Sequence, residues 1–427
     1  MFRGGQGFAL VVAQLAEIIH RYTPYNVYVV CSAFKNEKIE VLESYTLLAR
    51  NFRLCLKHLQ FKDFLAAVSY LFSLRRPILK QRFHLFKERL YTGLYAHYIR
   101  EYNPKVSFIH SLLPSTIPFV SASLHTDTPM ILVCHGDYAT EKDPRTFLLG
   151  LAKLMTPSLL ESGALLSCVS SGVTKYFSNL PNVFCVPNPV PPVESSVEEA
   201  ICCPDFFNIA VCGCVSERKN QIQIVRALRL LTEEERSQIK VHFVGKDITQ
   251  GKLQREAHRL GVEACCVFYG MVSHSQTLAV ISRSQITMTT TLSEAFGLPI
   301  LEGYTFGVPA VFFSDIAPVK ELGNSQCAIL MPDKSDETVA EAIREAMQRN
   351  WNHIYIKEFS RRFSEKNIAC MYAELFDKVR PSVYSEKAWE RLVRAYLWNK
   401  RQTYYAYTPL KRSVLNLIGK FGIKLPK

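Results

Sequence analysis

Residues 294–302 read Glu294-Ala-Phe-Gly-Leu-Pro-Ile-Leu-Glu302, and the chain continues Gly303-Tyr-Thr-Phe-Gly307-Val-Pro309-Ala-Val. Two carboxylates therefore flank a Phe-Gly-Leu-Pro turn. Ahead of them a strand-like run, Ser284-Gln-Ile-Thr-Met-Thr-Thr-Thr291, feeds the loop that carries Glu294. A helix is expected to start near Gly297 with Pro299 in its first turn, where a missing N–H costs nothing. The free backbone N–H groups of such a helix end, together with its dipole, favour an anion such as a diphosphate. Glu302, more than a turn inside, is placed to accept hydrogen bonds from two hydroxyls of a ribose. Glu294, outside the helix, is left to meet whatever hangs beyond the phosphates.

Two glutamates beside an amphipathic helix are common, so the neighbouring residues decide the reading. Phe296, Gly297, Pro299, Gly307 and Pro309 complete a pattern that resembles the E-x7-E signature of retaining GT-B glycosyltransferases of the group-one (family four) type, set in a strand, loop and helix context. The likeness is strongest over residues 205–335. Ala295 stands where that family often has Gly and Gly303 where it often has Ala; both are small. The resemblance implies an α/β fold of the GT-B kind, with two Rossmann-like domains facing across a cleft and C-terminal helices packing back on the N-terminal domain. The expected division is an acceptor-binding domain over residues 1–188 that lacks its first strand, a linker over 189–204, a nucleotide-sugar-binding domain over 205–365, and helices with a basic aromatic tail over 366–427.

Composition agrees with two domains. The 427 residues are 48% hydrophobic and 21% charged, ordinary globular values at a length that allows two cores. No apolar run reaches the roughly 18 residues of a membrane span, and Met1-Phe2-Arg3-Gly4-Gly5 has no secretory apolar region, so a cytoplasmic protein is expected. Thirteen cysteines include the adjacent pairs Cys202-Cys203 and Cys265-Cys266 and the close pair Cys212 and Cys214. None has zinc-ligand spacing, and reduced, buried thiols are expected.

Short β-branched runs alternate with helical segments, the rhythm of parallel sheets wrapped by helices. Strands are expected over residues 27–31, 106–109, 130–134, 165–169 and 183–186 in the first half, and over 207–212, 241–245 and 266–270 in the second. The proline-rich run Pro187-Asn188-Pro-Val-Pro-Pro-Val-Glu-Ser-Ser196 reads as the connection between them. In the second half three strands run into Gly213, Gly245 and Gly270, which suggests backbone kept bare at the carboxyl edge of a sheet.

After Gly213 come Cys214-Val-Ser-Glu-Arg218-Lys219-Asn220 and a helix expected over residues 221–231. By resemblance Lys219 binds the donor diphosphate, while the family's Arg position is Cys214, so Arg218 is expected to supply that charge. Cations at a helix N-terminus are unfavourable unless an anion is near, which argues against mere decoration. Donor binding thus falls to Gly213, Arg218, Lys219, Phe296, Gly297, Leu298 and Glu302. Glu321 matches a family glutamate after the next strand and equally fits a solvated helix residue.

In the first half Gly4-Gly5-Gln6-Gly7 opens a helix, and His110 and His135, the latter followed by Gly136-Asp137, stand at the carboxyl ends of two strands. Open parallel sheets place ligands there, although a lone His is usually a satisfied polar residue. The resemblance implies that His135 contacts the donor sugar, that Glu294, His135 and Lys219 serve catalysis, and that Gly4, Gly5, His110 and Asp137 line the acceptor side. Ser170, Ser171 and Asn188 also match family positions. Only three residues precede the glycine loop where the family has a strand, so a longer reading frame with a short β-branched run just before Arg3 is expected.

The same resemblance implies a nucleotide-diphosphate sugar donor of the UDP-sugar kind, retention at the anomeric carbon, no metal and no cofactor. The implied acceptor is a glycan or lipid-linked molecule of cell-surface polysaccharide or glycoconjugate biosynthesis. No Asp-x-Asp metal motif accompanies it. The net charge of +13 is uneven: residues 50–100 carry eleven Lys and Arg against two acids, and so do residues 380–427. Both stretches are rich in aromatics, which suits docking on an anionic membrane, at its cytosolic face, as well as solvated helices over an aromatic core. No nucleic-acid module is recognisable and no nucleic-acid partner is expected. Two other classes fit the motifs: a sugar-nucleotide epimerase or phosphorylase on the same architecture, and a non-catalytic binding protein.

Overall fold

A computed structural model describes residues 7–31, 40–72, 79–110, 117–136, 157, 159–161, 163–190 and 205–381. The strands in chain order are β1 (Tyr28–Cys31), β2 (Glu40–Val41), β3 (Thr46–Ala49), β4 (Ser107–His110), β5 (Met130–Cys134), β6 (Leu165–Cys168), β7 (Val183–Cys185), β8 (Phe207–Cys212), β9 (Ile239–Val244), β10 (Cys266–Gly270), β11 (Ile286–Thr289), β12 (Ala310–Phe313) and β13 (Ala328–Met331). Runs such as Met-Ile-Leu-Val-Cys in β5 and Ala-Val-Phe-Phe in β12 are buried throughout. Such unbroken apolar strands belong to parallel sheets covered by helices on both faces.

The second half is a six-stranded parallel sheet in the order β10-β9-β8-β11-β12-β13. Chain direction within the sheet reverses between β8 and β11, and the connections after those two strands leave in opposite senses. A crevice opens at their carboxyl ends, the place where such sheets bind ligands. Strand β11 covers Ile286–Thr289 of the expected 284–291 run; past its end the Thr290 and Thr291 hydroxyls donate to the carbonyls of Asn220 and Arg218. The helix expected over 221–231 is Ile222–Leu228; Leu230 N–H to Ala227 C=O and Leu231 N–H to Leu228 C=O are three-residue bonds that tighten and end it.

The first half carries two parallel arrays, β4-β5-β6-β7 and β1-β3-β2, the last strand of the second running antiparallel. The sequence did not announce β2 or β3. Among the described residues strands β1 and β4 each pair on one edge only. Their other edges line an apolar cavity of about 380 Å³, walled by Leu15 and Ile19 of the Gly7–Tyr22 helix, Tyr95 and Tyr98 of the Leu79–Tyr102 helix, and Phe376. Any strand ahead of Arg3 lies outside the described residues.

The Glu365–Lys378 helix returns to the first half as expected. Its Tyr372 and Phe376 pack with Leu15, Ile18, Ile19, Ile131 and Leu165. Glu365 accepts from Arg21 at 3.0 Å and Asp377 accepts from Tyr25 Oη at 3.0 Å. The chain is therefore an α/β protein of the two-domain, parallel-sheet kind. Among the described residues Cys55, Cys134, Cys168, Cys265 and Cys327 are buried, and Cys214 and Cys370 are exposed.

Candidate active site

The loops that follow β8 and β11, neighbours at the sheet reversal, are stitched to one another. Leu292 N–H donates to the Arg218 carbonyl at 2.9 Å, Thr290 Oγ1 donates to the Asn220 carbonyl at 2.8 Å, and the Arg218 guanidinium donates to the Ser293 carbonyl. Asn220 adopts a left-handed backbone (φ 52°) that lets the first loop turn back. Gln221, almost fully buried, donates to the Cys214 carbonyl at 3.2 Å and accepts from Ser216 N–H at 3.3 Å, which fixes the start of that loop.

This stitching brings Lys219 Nζ onto the Glu294 carboxylate in a direct ion pair. Both side chains are only 15–16% exposed. Burial by itself pushes the Glu294 carboxyl up. The charge and hydrogen bond of Lys219, the charge of Arg218 and the Phe296 backbone N–H outweigh it and hold the group below its ordinary value. A carboxylate is thus kept ionised in a largely dry place, next to a cation whose other ammonium hydrogens remain available for an anion.

Gly297 is the N-cap of the Leu298–Phe306 helix at φ 84°, with Pro299 in the first turn, as the sequence implied. No side chain caps the helix; Pro299 has no N–H and the Ile300 N–H donates to the Gly297 carbonyl at 3.0 Å, which leaves the Leu298 N–H as the donor of the first turn. Gly213 ends β8 at φ 131°, and a Cβ there would meet Lys219 Cε at 3.6 Å, so the lysine stem lies across bare backbone. Gly303 packs on β11: a Cβ would come within 2.7 Å of Thr287 Cγ2. A threonine on the strand therefore explains why glycine replaces the family's alanine.

Glu302, 9% exposed, sits on the second turn of that helix. Its Oε1 accepts from His274 Nε2 at 2.8 Å. The hydrogen bond raises the His274 pKa against the lowering effect of burial. His274 is the first residue of the helix after β10, capped by Ser273 and Gln276 in a reciprocal box. The Ser-x-x-Gln spacing was legible as a helix start; its reach to Glu302 was not, because it depends on how two non-adjacent strands are ordered. Phe296 is a core residue, 2% exposed and edge-on to Phe363 at 5.9 Å, and offers the site only its backbone. Leu298 is partly buried and touches the apolar clusters of both halves.

His110 ends β4 and His135 directly follows β5. Their rings stack at 5.2 Å, with His110 Nδ1 and His135 Nε2 2.9 Å apart. One N–H is shared between them. Burial lowers both pKa values, His135 to about 4 and His110 well below its ordinary value with a secondary contribution from His135, so the pair is neutral near pH 7. Gly4, Gly5 and Asp137 lie outside the described residues.

Glu321 settles differently from a solvated helix residue. It is 7% exposed, and its Oε1 accepts from the Ser171 N–H of the other domain at 2.8 Å. A Cβ on Gly172 would fall 2.2 Å from the Ala317 carbonyl, so the backbones of the two domains touch there. Ser170 caps the short Ser171–Thr174 helix, and Asn188 is buried in the crossing segment.

Two parallel-sheet domains with ion-pairing loops at the reversal of the second sheet define a protein of the GT-B class. The profile of the family described as glycosyl transferases group 1 matches residues 205–369, the stretch that builds the domain around β8–β13. Sucrose-phosphate synthase from Thermosynechococcus elongatus is similar in fold (TM-score 0.64, 14% identity, 87% of this chain and 93% of that one). So are E. coli trehalose-6-phosphate protein bound with UDP-2-fluoro glucose (TM-score 0.60, 13% identity, 88% and 97%) and Anabaena Alr3699/HepE in complex with UDP (TM-score 0.53, 15% identity, 67% and 81%). At these identities the likeness concerns fold. No curated protein matches the chain by sequence.

Proposed function

We propose that this protein transfers a sugar, with retention, from a nucleotide-diphosphate sugar to a glycan or lipid-linked acceptor in cell-surface polysaccharide or glycoconjugate biosynthesis. The observation that carries the proposal is the convergence of Lys219, Glu294, the Gly297 helix end and Glu302 on one crevice. Lys219 and the N-terminal end of the helix, through the Leu298 N–H and the helix dipole, meet the diphosphate, and no metal or cofactor is assigned a part. Glu302 takes ribose hydroxyls on the oxygen that His274 leaves open. Similar folds bound to UDP or a UDP-sugar analogue favour a UDP-linked donor.

In this reading the negative charge that grows on the departing diphosphate is met by groups already in place, the largest contribution expected at such a site. Glu294 faces the transferring sugar, and no side chain is assigned as a covalent nucleophile. The leaving phosphate takes the acceptor hydroxyl's proton on the face it departs from, which preserves configuration. The neutral His135 donates to, or accepts from, sugar hydroxyls without competing for the phosphate charge. We place the reaction in the cytoplasm, with the acceptor presented at the cytosolic face of a membrane. The test is incubation with UDP-hexoses and candidate acceptors, following UDP release and the anomeric configuration of the product by NMR. An α-linked product from an α-linked donor is expected; an inverted product, or turnover to a free epimer, contradicts the proposal.

A further inference from the structure

Thirteen large apolar side chains are exposed among the described residues, and five of them, Phe52, Leu56, Phe61, Phe64 and Leu65, fall within residues 52–65. The helices Phe52–Lys57 and Phe61–Phe72 bury their opposite faces, through Cys55 and Ala67, on Leu90 and Leu94 of the Leu79–Tyr102 helix. The spacing of the exposed set is helical: Phe52 and Leu56 are one turn apart, as are Phe61, Phe64 and Leu65. These side chains therefore stand outward as two apolar ridges; the Phe64 ring also meets Phe86 edge-on at 6.2 Å, and Lys62 Nζ lies 2.8 Å from His125 Nδ1.

The charges between the ridges have one sign. Arg53, Lys57 and Lys62 are exposed. The one acid of the stretch, Asp63, is 2% exposed and turned inward to Arg89 at 3.2 Å. Lys87 adds a further cation over the Phe52 ring at 5.6 Å. A patch of large apolar groups ringed by cations, with its acid neutralised beneath the surface, complements a lipid surface that offers anionic headgroups above acyl chains. A soluble acidic protein would match the charges yet leave five apolar side chains to be covered by a shape-specific groove.

We propose that the outer face of residues 52–65 is a docking surface for an anionic lipid bilayer. The phenyl and leucyl groups enter the headgroup boundary while Arg53, Lys57 and Lys62 pair with lipid phosphates. The Phe52–Lys57 helix starts three residues after β3 ends, so the surface lies toward the carboxyl edge of a first-half sheet, the kind of edge that carries His110 and His135. The face lies within the basic segment of residues 50–100, and the exposed ridges narrow the assignment to its first part. Vesicle binding is read without any donor, so it stands or falls independently of the transfer reaction.

The test is co-sedimentation of the full chain with phosphatidylcholine vesicles containing phosphatidylglycerol, against pure phosphatidylcholine vesicles, at low and high salt. Binding to the anionic vesicles alone, lost in high salt, is expected. R53E/K57E should weaken it about fivefold or more per cation lost, and F61S/L65S about tenfold or more. Both variants leave the inward face intact, so unchanged thermal melting is expected and separates docking from misfolding. The proposal is overturned by equal binding to both vesicle types, by binding to neither, or by full binding of both variants, which would move attachment elsewhere on the chain.

Discussion

The two sheets use the same local device, polar residues at the carboxyl ends of parallel strands, to opposite electrostatic ends. In the second half, Lys219 and Arg218 hold Glu294 ionised, and His274 gains a proton affinity from Glu302. In the first half, His110 and His135 face each other and are both driven neutral. The strand ends of the second half therefore form a charged wall and those of the first half an uncharged one. This is the division expected where a dianionic leaving group sits on one side and uncharged hydroxyls on the other.

The largest effect should follow from removing the cation of the charged wall. Lys219→Ala is expected to lower turnover about 10²–10³-fold, the scale seen when one preorganised group on a developing charge is removed. Because it also leaves Glu294 half-desolvated, thermal melting must accompany the kinetics, and Glu294→Gln, which keeps the volume, should depress turnover with little change in melting. Wild-type rates in both would dissolve the contrast between the walls.

Glu302→Ala comes next. Loss of charged hydrogen bonds to ribose, about 1.5–3 kcal/mol, should weaken nucleotide binding about 10- to 100-fold, read as Kd for UDP by calorimetry. His274→Ala should act through Glu302 and cost only severalfold, in KM rather than kcat. Equal losses in kcat and KM would give His274 a different part. Arg218→Ala should fall between Lys219→Ala and His274→Ala, and Cys214→Arg should not restore it, because the Arg218 guanidinium holds the Ser293 carbonyl. Full rescue would show that only charge mattered there.

A smaller effect separates the walls by pH. His135 and His110 have folded pKa values below 6.5, so the unfolded chain takes up protons first as pH falls. Their stability contribution is present above about 6.5 and is lost toward pH 4. His274 is raised above 6.5, so its contribution is full below that pH and is lost as pH rises through its folded value. Differential hydrogen exchange should show the strand ends at 110 and 135 loosening on acidification, and the helix at 274 loosening mildly toward alkaline pH. A common direction for both would contradict the assignment.

Much of the charged wall was legible because its determinants are local. Glu294, Gly297, Pro299 and Glu302 lie within nine residues, and a helix end fixes their relations whatever surrounds them. Gly213, Gly245 and Gly270 announced strand ends, and all three take positive φ. What stayed hidden depends on strand order. Nothing in the spacing of Lys219 and Glu294, 75 positions apart, says that β8 and β11 are neighbours, and the His274–Glu302 contact needs the same knowledge. Phe296 was read as a donor contact because it belongs to the motif, whereas its ring fills the core. Strand β3 escaped notice because four residues, Thr-Leu-Leu-Ala, are as consistent with a helix as with a strand. The bounds of the proposed docking face within the basic 50–100 segment were not legible because net charge is a property of composition, while exposure is a property of packing: the burial of Asp63 against Arg89 is invisible in a count.

The central claim is that the crevice at the reversal of the second sheet binds a nucleoside diphosphate through Glu302 and Lys219. Thermal shift with UDP on the wild type, Glu302→Ala and Lys219→Ala tests it most directly, since a ligand that binds only the folded state raises the melting midpoint by mass action. A concentration-dependent rise in the wild type that is largely lost in both variants is the predicted result. An equal rise in all three proteins, or none in the wild type, would contradict it.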